Sequence, residues 1–365
     1  MMYCQGSTRP FVVFLAAFCL LNLIWYNVEV VKDYYAPKKQ LLGSLNDFNM
    51  VGFGKAGNVV FELISFIGIA QSVGREPVLN SAAFKVQLKF PQLHHLMHGI
   101  GETNQNIHYV PINFKHTCCS FVDPMPYIAN ETVKDFPGIE TTLKYAQSWK
   151  YFKNIPRKEI LHRLSVDEDT HQIARDGLAN KTLLKGADHV LCVHCRRGDF
   201  INSAGGYIYC HENFTIPAVN FLLQKGRSDG GWKKPVVAML GNDGQWMQEQ
   251  LPHFIATAFV VSSNISYSPI AEWEFSRLYC NTFLISASAS SFGWLMAYVS
   301  EATAFYNSQY YIPNSTNYGR LVPDDFFLPH WHPITVVNRS VIKVCGEMQQ
   351  EFNDIQRDCI CAAIE

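Results

Sequence analysis

Two adjacent arginines, Arg196 and Arg197, are the residues of this sequence best suited to chemistry. They follow residues 189–194, an apolar run without polar alternation that is typical of a strand buried on both faces of a sheet. Guanidinium groups at the end of such a strand are costly unless each finds an anionic partner. A guanidinium binds phosphate oxygens two at a time, which suits a diphosphate. The pattern therefore predicts a diphosphate grip, with Asp199 holding one arginine in position and His194 beside them.

Residues 192–199 allow three other interpretations, of which the first stays open. Arg196 and Arg197 could belong to a purely structural salt-bridge cluster. Residues 197–199 resemble an adhesion tripeptide, but that motif needs an exposed loop tip and this one abuts an apolar strand. Cys192 and Cys195 form a C-x-x-C pair on the strand and not at a helix start, so we interpret them as core thiols without redox chemistry.

Further polar clusters follow other predicted strands. Residues 290–293 read SSFG, and hydroxyl and backbone N–H groups at a helix N-terminus bind phosphate well; helix capping by serine is the alternative. Asn242 and Asp243 follow the predicted strand 236–240, where a carboxylate could accept from a guanine or cap a helix. The turn 54–58 lacks the glycine spacing of a dinucleotide fingerprint but suits a close approach of backbone to a ligand.

The predicted elements form two α/β sets that place these clusters at strand ends. Strand 49–53, helix 59–73 and strand 77–79 make a strand–helix–strand unit of a parallel sheet, and a second set begins near residue 186. Ligands in such sheets bind at the carboxyl ends of the strands. The other predicted strands are 189–194, 236–240, 259–261 and 283–286, and the other predicted helices are 143–152, 158–178, 217–224, 244 onward, 271–279 and 290–299.

Composition limits the class of protein. The chain has 365 residues, which suits two domains of ordinary size, with 48% hydrophobic and 17% charged residues, as expected of a globular protein. The formal net charge of -1 gives no electrostatic reason to expect a nucleic-acid partner, because a phosphate backbone demands a basic face.

The N-terminus predicts a membrane anchor. Residues 11–28 are mostly apolar and end near aromatic residues, and a helix of this length suits a thin bilayer of the early secretory pathway. No small-residue cleavage site follows, so we favour an uncleaved signal-anchor over a cleaved signal peptide. Arg9 on the preceding tail favours a cytosolic tail, although Lys32 and Lys38 on the other side weaken that orientation.

Sequons and cysteines place the rest of the chain in a lumen. An oxidising compartment would pair most of the cysteines beyond the anchor, whose odd number leaves at least one thiol free or bonded between chains. These cysteines are Cys118, Cys119, Cys192, Cys195, Cys210, Cys280, Cys345, Cys359 and Cys361. The predicted N-glycosylation sites are Asn130, Asn180, Asn213, Asn264, Asn314 and Asn338.

Taken together, these motifs resemble the α-1,2-fucosyltransferase family, also called glycosyltransferase family 11, and more distantly the α-1,6- and protein O-fucosyltransferases. Residues 194–199 are similar to the H-x-R-R-x-D signature, residues 54–61 to the G-x-x-G-N-x-x-F opening, and residues 145–152 to the Y-x-Q-S-x-x-Y-F stretch. The resemblance covers about residues 47–335. It departs from the usual pattern at Cys195, Phe200 and Lys144.

The resemblance implies an α/β fold of the GT-B kind, with two facing Rossmann-like domains behind the transmembrane anchor. The expected divisions are a cytosolic tail (1–10), the signal-anchor helix (11–28), a stem (29–46), an acceptor-side α/β domain (47–185), a nucleotide-sugar-binding α/β domain (186–340) and a cysteine-containing tail (341–365).

The resemblance also implies a function: an inverting, metal-independent enzyme without a cofactor that transfers fucose from GDP-fucose to a glycan, with the 2-hydroxyl of a terminal galactose as the acceptor. It implies a single-pass type II protein of the Golgi membrane with its catalytic domain in the lumen. The implied catalytic residues are Arg196, Arg197 and Asp199. The implied donor-binding residues are Gly57, Asn58, His194, Asn242, Asp243, Ser290, Ser291 and Phe292.

Two rival functions stay open. A metal-dependent transferase that uses another sugar nucleotide would need an Asp-x-Asp motif, and residues 167–169 have that form, although they suit a solvated turn better. A lectin or adaptor on the same fold would bind glycans without catalysis. His94, His95 and His98 lack a carboxylate partner at zinc spacing, so no metal site is predicted there.

Overall fold

The computed structural model describes residues 39–44, 56–79, 107–114, 118–142, 145–178, 181–262, 269–338 and 341–344. The chain divides into two units, residues 1–39 and 40–365, and every described helix and strand lies in the second. The predicted anchor, the predicted strand 49–53 and the histidines at 94, 95 and 98 fall outside the described residues. Within those ranges, none of the helices combines the length and apolar character needed to cross a membrane.

The strands are β1 (Gln40–Ser44), β2 (Glu76–Leu79), β3 (Tyr109–Ile112), β4 (Gly138–Thr142), β5 (His189–Cys195), β6 (Pro235–Gly241), β7 (Phe259–Val261), β8 (Thr282–Ile285), β9 (Thr303–Asn307), β10 (His332–Val337) and β11 (Val341–Val344). The helices are α1 (Ala56–Ser72), α2 (Met125–Ile128), α3 (Arg157–Arg163), α4 (Glu168–Gln172), α5 (Lys181–Gly186), α6 (Gly198–Ile201), α7 (Glu212–Ser228), α8 (Gly244–Gln250), α9 (Pro269–Tyr279), α10 (Ser291–Ser300) and α11 (Pro323–Phe326). Short 3-10 turns cover Trp149–Tyr151 and Leu251–His253, and a π-helical turn covers Ile173–Leu178.

The first sheet is parallel, with the order β2-β1-β4-β3. Its strand β1 pairs with β2 on one side and with β4 on the other, and Leu41 within it is fully buried. Residues 40–44 were expected in a polar stem ending at residue 46, and this boundary is corrected. This strand was not predicted because it is only five residues long, too short to show a clear alternation of apolar and polar residues.

The second sheet has the order β11-β10-β9-β8-β5-β6-β7, parallel from β10 to β7, with β11 antiparallel at its edge. From β5 the chain moves outward through β6 and β7, and it returns to the other side of β5 for β8, β9 and β10. This is the strand order of a Rossmann-type sheet, in which ligands bind where the order reverses. The reversal lies between β5 and β8, where His194 pairs with Ile285.

Helix α1 joins the two sheets. A helix that is apolar all round is buried on all sides, and nearly every residue of α1 from Ala56 to Ala70 is buried. The Phe61 ring lies 4.5 Å from the Trp294 ring of α10, centroid to centroid. One apolar core therefore runs from the first sheet through α1 and α10 to the near face of the second sheet, and a smaller core covers its other face.

Most predicted elements of the second set are confirmed, but the middle of the chain is not. The predicted helix 143–152 is wrong: a 3-10 turn begins only at Trp149, because the Ser148 hydroxyl accepts from the Lys150 N–H and fixes the start there. The predicted helix 158–178 is interrupted, because Asp167 caps α4 as a separate helix. The strands β1, β3, β4, β9, β10 and β11 were not predicted.

The cysteines of β5 are disulfide-bonded, which corrects their interpretation as core thiols. Cys192 bonds to Cys280 and Cys195 bonds to Cys210. The C-x-x-C spacing did not indicate these partners. Positions three apart on a strand point to opposite faces of the sheet, so Cys192 and Cys195 bond to cysteines on different elements. Among the described cysteines, Cys118 and Cys119 carry free thiols.

Candidate functional site

The two arginines lie where the strand order of the second sheet reverses. Cys195 ends β5, and Arg196 and Arg197 follow directly. The neighbouring strand β8 ends at Ile285, and the following segment leads into the N-terminus of α10. The positive end of the α10 dipole and the arginine loop therefore lie at the same edge of the sheet, where a Rossmann-type order forms a ligand-binding crevice. Such an arrangement suits an anionic ligand.

Arg196 is held by a carboxylate that water can reach. Its Nε donates to Oδ1 of Asp199 at 3.0 Å and its Nη2 to Oδ2 at 2.7 Å, a bidentate pair. The guanidinium also lies 4.7 Å above the centre of the Phe200 ring. Since the Asp199 side chain is 61% exposed, solvent screens this pair. An incoming phosphate can therefore compete for Arg196 at small cost.

Arg197 is committed to contacts within the protein. Its Nε donates to Oδ2 of Asp243 at 3.0 Å and its Nη1 to the Cys210 carbonyl at 2.7 Å. The guanidinium lies 4.3 Å from the centre of the Trp246 ring, and the Arg197 backbone N–H donates to the Asn242 side chain at 2.9 Å. Arg197 thus fixes the loop that presents Arg196.

Asn242 and Asp243 occupy the position expected of them, next to the arginines: both accept from Arg197, and Asp243 also caps a helix. Asp243 is the N-cap of α8 and accepts from the Trp246 N–H at 3.1 Å, while its other oxygen holds Arg197. Before them, Gly241 has φ of 150° and a side chain there would collide with the Cys195 carbonyl. The ends of β5 and β6 therefore meet backbone to backbone, which brings Asn242 within reach of the arginine loop.

The serines at the α10 N-terminus are buried and have partners in the protein. Ser290 is the N-cap and accepts from the Gly293 N–H, so the capping alternative is correct for it. The Ser291 hydroxyl donates to Oδ1 of Asn58. Phe292 is also buried and packs 5.1 Å from the Trp273 ring. These residues place the start of α10 at the crevice, and their side chains hold it there.

His194 lies beneath the crevice. It is 2% exposed, its ring lies under Gly293, and its Nδ1 has no hydrogen-bond partner among the described residues. Burial, and then the charge of Arg196, lower the pKa of His194 to about 3. The ring is therefore neutral at physiological pH and a poor proton acceptor.

Gly57 and Asn58 reach the crevice from α1. A Cβ on Gly57 would lie 2.5 Å from the Phe292 backbone nitrogen, so this glycine allows α1 to pack against α10. The close neighbour of Gly57 is thus another helix. The approach of a ligand to the turn 54–58 stays a prediction, because residues 54 and 55 lie outside the described residues. Asn58, in contact with Ser291, marks the point where the N-termini of the two helices meet.

Two buried carboxylates near this crevice were not predicted. Glu272 of α9 accepts from the Gly241 N–H at 3.1 Å, and burial raises its pKa to about 7. Glu62 of α1 is 2% exposed and accepts from the Tyr145 N–H at 2.6 Å. The available signal was a charged residue at an otherwise apolar position of each helix, which is costly without a specific partner.

The remaining predictions concern the Asp-x-Asp motif, a metal site and the glycosylation sites. Asp167 of the Asp-x-Asp motif caps α4 by accepting from the Thr170 N–H at 2.8 Å. Within the described ranges, no group of three or more His, Cys, Asp or Glu side chains is arranged to hold a metal ion. Four sequon asparagines are exposed and two lie outside the described residues; the exposed ones are Asn130, Asn213, Asn314 and Asn338, and the others are Asn180 and Asn264.

Comparisons with known proteins agree with the family resemblance. The family model described as glycosyl transferase family 11 matches residues 126–335, more than half of the chain. Two galactoside 2-α-L-fucosyltransferases of Caenorhabditis elegans are 27% and 26% identical to the chain; the matches cover 76% and 78% of this chain and 74% and 79% of the relatives. The fucosyltransferase NodZ from Bradyrhizobium is similar in structure with a TM-score of 0.40 and 12% identity, over 72% of this chain and 91% of NodZ.

Proposed function

We propose, since the chain belongs to glycosyl transferase family 11, that it transfers fucose from GDP-fucose to a hydroxyl of a galactose-terminated glycan. One observation carries the proposal: Arg196 and the N-terminus of α10 converge where the strand order of a Rossmann-type sheet reverses. The α-1,2 linkage follows the names of the C. elegans relatives.

In this proposal the protein acts mainly on the leaving group. As the bond between fucose C1 and the β-phosphate oxygen breaks, negative charge builds on the phosphate and positive charge on the sugar. Arg196 exchanges Asp199 for the phosphate oxygens, and the α10 dipole adds to the stabilisation. Arg197 does not move, because Asp243, Cys210 and Trp246 already hold it.

The acceptor hydroxyl attacks C1 from the face opposite the diphosphate, so the anomeric configuration inverts. A new C1–O bond forms, GDP leaves, and the hydroxyl proton passes to solvent. His194 is not the proton acceptor in this scheme, because burial keeps its pKa near 3. The positive charge that the leaving group requires comes from arginine and the helix N-terminus, which is why we propose a metal-independent reaction.

The proposal includes a GT-B arrangement, in which the first sheet belongs to an acceptor-side half and the second to the donor half. It also includes the Golgi lumen as the site of action, with residues 11–28 as the type II anchor. The Cys192–Cys280 and Cys195–Cys210 disulfides support an oxidising compartment, and four exposed sequons support entry into the secretory pathway.

The test is a titration of GDP and GDP-fucose against the purified luminal part, beside Arg196→Ala and the control Arg227→Ala. Arg227 is exposed near the end of α7 and donates to the Ile255 carbonyl at 2.7 Å, far along that helix from the crevice. We expect the wild type to bind both ligands with chelator present. Arg196→Ala should lose about 2 kcal/mol of binding free energy or more, as for a charge-assisted bidentate contact, and Arg227→Ala should bind normally.

Each contrary outcome points to a rival function. Binding that vanishes in chelator would replace the arginine grip with a metal-dependent transferase. A wild type that binds neither nucleotide, or an Arg196→Ala variant that binds normally, would make the arginines structural and favour a lectin or adaptor. Transfer of radiolabelled fucose to a galactose-terminated glycan then tests catalysis itself.

A further inference from the structure

Tyr145 has an exposed aromatic side chain, although the three residues that follow it are buried. Its exposed fraction is 43%, whereas Ala146, Gln147 and Ser148 are between 0% and 4% exposed. The Tyr145 backbone has φ of 64°, a left-handed conformation that bulky residues seldom adopt. Such strain persists only where the surrounding structure enforces it, and it is common at functional sites.

A buried carboxylate enforces this conformation. Oε1 of Glu62 accepts from the Tyr145 N–H at 2.6 Å, and the Tyr145 carbonyl accepts from the Gln147 N–H at 2.7 Å. Glu62 lies one helical turn beyond Asn58 on α1, so both side chains lie on the same face of that helix. Asn58 contacts the start of α10 at the crevice, and Glu62 therefore positions Tyr145 one helical turn along from it.

The segment that follows Tyr145 is bonded to the half of the chain that carries the arginines. The Ser148 hydroxyl donates to the Asp325 carbonyl at 2.6 Å, and Trp149 Nε1 donates to the Asp324 carbonyl at 3.1 Å. These bonds fix the position of Tyr145 relative to the second sheet, although it belongs to the first half of the sequence.

Two stacked aromatic rings lie beside Arg196. The Phe200 ring lies 4.7 Å below the Arg196 guanidinium and stacks on Tyr207 at 4.5 Å between ring centres. Tyr145 itself is linked to the crevice through α1, where Glu62 accepts from its backbone N–H and Asn58 accepts from the Ser291 hydroxyl.

From these contacts we propose that Tyr145 is the platform on which the acceptor sugar lies, with the apolar C–H face of a pyranose stacked on its ring. A ring offers a flat apolar surface at low entropic cost and leaves the sugar hydroxyls at the rim free to bond or react. The inference rests on the proposed transferase function. It assigns to the acceptor a surface distinct from the residues that grip the diphosphate.

The test compares Tyr145→Ala, Tyr145→Gly, Tyr145→Phe and the control Phe136→Ala in fucose transfer to a galactose-terminated glycan. Phe136 is an equally open aromatic residue, 39% exposed, but it precedes β4 and so lies at the amino ends of the strands. Glycine adopts a positive φ without steric cost, so Tyr145→Gly removes the ring without adding strain.

We expect the alanine and glycine variants to raise the KM for the glycan about tenfold or more, as the loss of one aromatic contact implies. The KM for GDP-fucose and the rate of GDP-fucose hydrolysis without acceptor should not change. Tyr145→Phe and Phe136→Ala should match the wild type. An unchanged glycan KM in Tyr145→Gly overturns the inference, as does an equal rise for both substrates.

Failure of the inference and failure of the proposed function have different signatures. A wild type that transfers fucose, beside a Tyr145→Gly variant that does so with the same glycan KM, contradicts only the platform. If the wild type transfers no fucose, the proposed function fails. Saturation-transfer NMR with the same glycan then tests the platform alone: signals lost in Tyr145→Gly support it, and signals that persist there or are absent from the wild type overturn it.

Discussion

The two neighbouring arginines have identical charge but different surroundings. Arg197 is held between Asp243, the Cys210 carbonyl and the Trp246 ring, whereas Arg196 is paired with a carboxylate that is 61% exposed. Interactions of the first kind stabilise the fold, and interactions of the second kind contribute little to it. Both arginine side chains are 15% exposed, so the difference lies in their partners. The open carboxylate of Asp199 can be exchanged for a ligand, which is the physical reason for assigning the diphosphate to Arg196.

This difference predicts that the two alanine variants affect stability and GDP binding to different degrees. Arg197→Ala leaves Asp243 without its ion partner and should lower the free energy of unfolding by about 2 kcal/mol. Arg196→Ala removes a screened pair and should lower it by less than about 1 kcal/mol, while it abolishes most GDP binding. Urea denaturation beside a GDP titration measures both quantities. Equal destabilisation by the two variants would contradict this division of roles.

Glu272 makes stability depend on pH in a predictable direction. Burial raises its pKa from 4.5 to about 7, so between these values the folded protein keeps a proton that the unfolded chain has lost. Stability should therefore be greatest below about pH 4.5 as far as this group is concerned, and should fall as pH rises towards 7. A shift of this size corresponds to about 3 kcal/mol.

Glu272→Gln isolates that contribution. The amide oxygen can still accept from the Gly241 N–H, but the side chain no longer titrates. We expect the difference in unfolding free energy between wild type and variant to change by about 3 kcal/mol across pH 4.5 to 7.5, measured by denaturation at a series of pH values. A difference that stays constant with pH would show that Glu272 does not titrate in this range.

At the scale of elements, the central strands of the second sheet were predictable, whereas its strands β9, β10 and β11 and most of the first sheet were not. The strands β5, β6 and β8 are apolar runs and are followed by residues that break the pattern, so periodicity and turn residues locate them. In contrast, β1 is five residues long with polar ends, and its partners β2 and β4 are far away in sequence. Its place in the sheet depends on pairing, which a local pattern does not encode.

The candidate site shows the same limit. The sequence located the candidate polar residues because they follow strands, but it did not indicate which residues they would hydrogen-bond. These residues are Arg196, Arg197, Asn242, Asp243, Ser290 and Ser291. Whether Asp243 contacts a nucleotide or Arg197 depends on the close meeting of β5 and β6 at Gly241, a tertiary contact. Tyr145 was predicted inside a helix, because the carboxylate of Glu62 that holds it in a left-handed turn lies 83 residues earlier in the chain.

The contact between α1 and α10 gives a prediction at this scale. In Gly57→Ala the new methyl group would lie 2.5 Å from the Phe292 nitrogen and 2.9 Å from the Ser291 carbonyl carbon, and backbone atoms cannot move aside cheaply. Overpacking of this kind costs about 1–3 kcal/mol. We expect a lower melting temperature and weaker GDP binding, because the start of α10 shifts.

The matched control is Gly186→Ala. Gly186 ends α5, is exposed, and has no atom within 4 Å of the position of a new Cβ. This variant should melt as the wild type does in a thermal scan. If Gly57→Ala were equally stable, the close contact between the two helices would not exist in solution.

Within the described part of the second unit, the region of the first sheet and the region of the second sheet depend on each other for stability. The apolar core continues through α1 and α10, so the first sheet and the near face of the second share buried surface. Hydrogen bonds from Ser148 and Trp149 to residues of α11 add polar contacts between the two regions. We therefore expect this region to unfold in one cooperative transition, with the donor crevice lost together with the core.

The two disulfides should affect stability and ligand binding differently. Cys195–Cys210 spans 15 residues and closes the loop that carries both arginines, and the Cys210 backbone bonds to Arg196 at 3.0 Å and to Arg197 at 2.7 Å. Cys192–Cys280 spans 88 residues and joins the middle of β5 to the end of α9. Both bonds restrict the unfolded chain, the longer span more strongly, by about 3 and about 4.5 kcal/mol.

Replacing each pair by alanine separates these effects. The Cys192→Ala/Cys280→Ala variant should lose as much stability as the other pair or more, yet bind GDP normally at a temperature where it is folded. The Cys195→Ala/Cys210→Ala variant should lose stability and also bind GDP more weakly, because the arginine loop is released. Denaturation and a GDP titration on both variants measure this. Equal GDP affinity in the two variants would mean that Asn242 and Asp243 alone fix the loop, and that the Cys195–Cys210 bond serves only the stability of the whole fold.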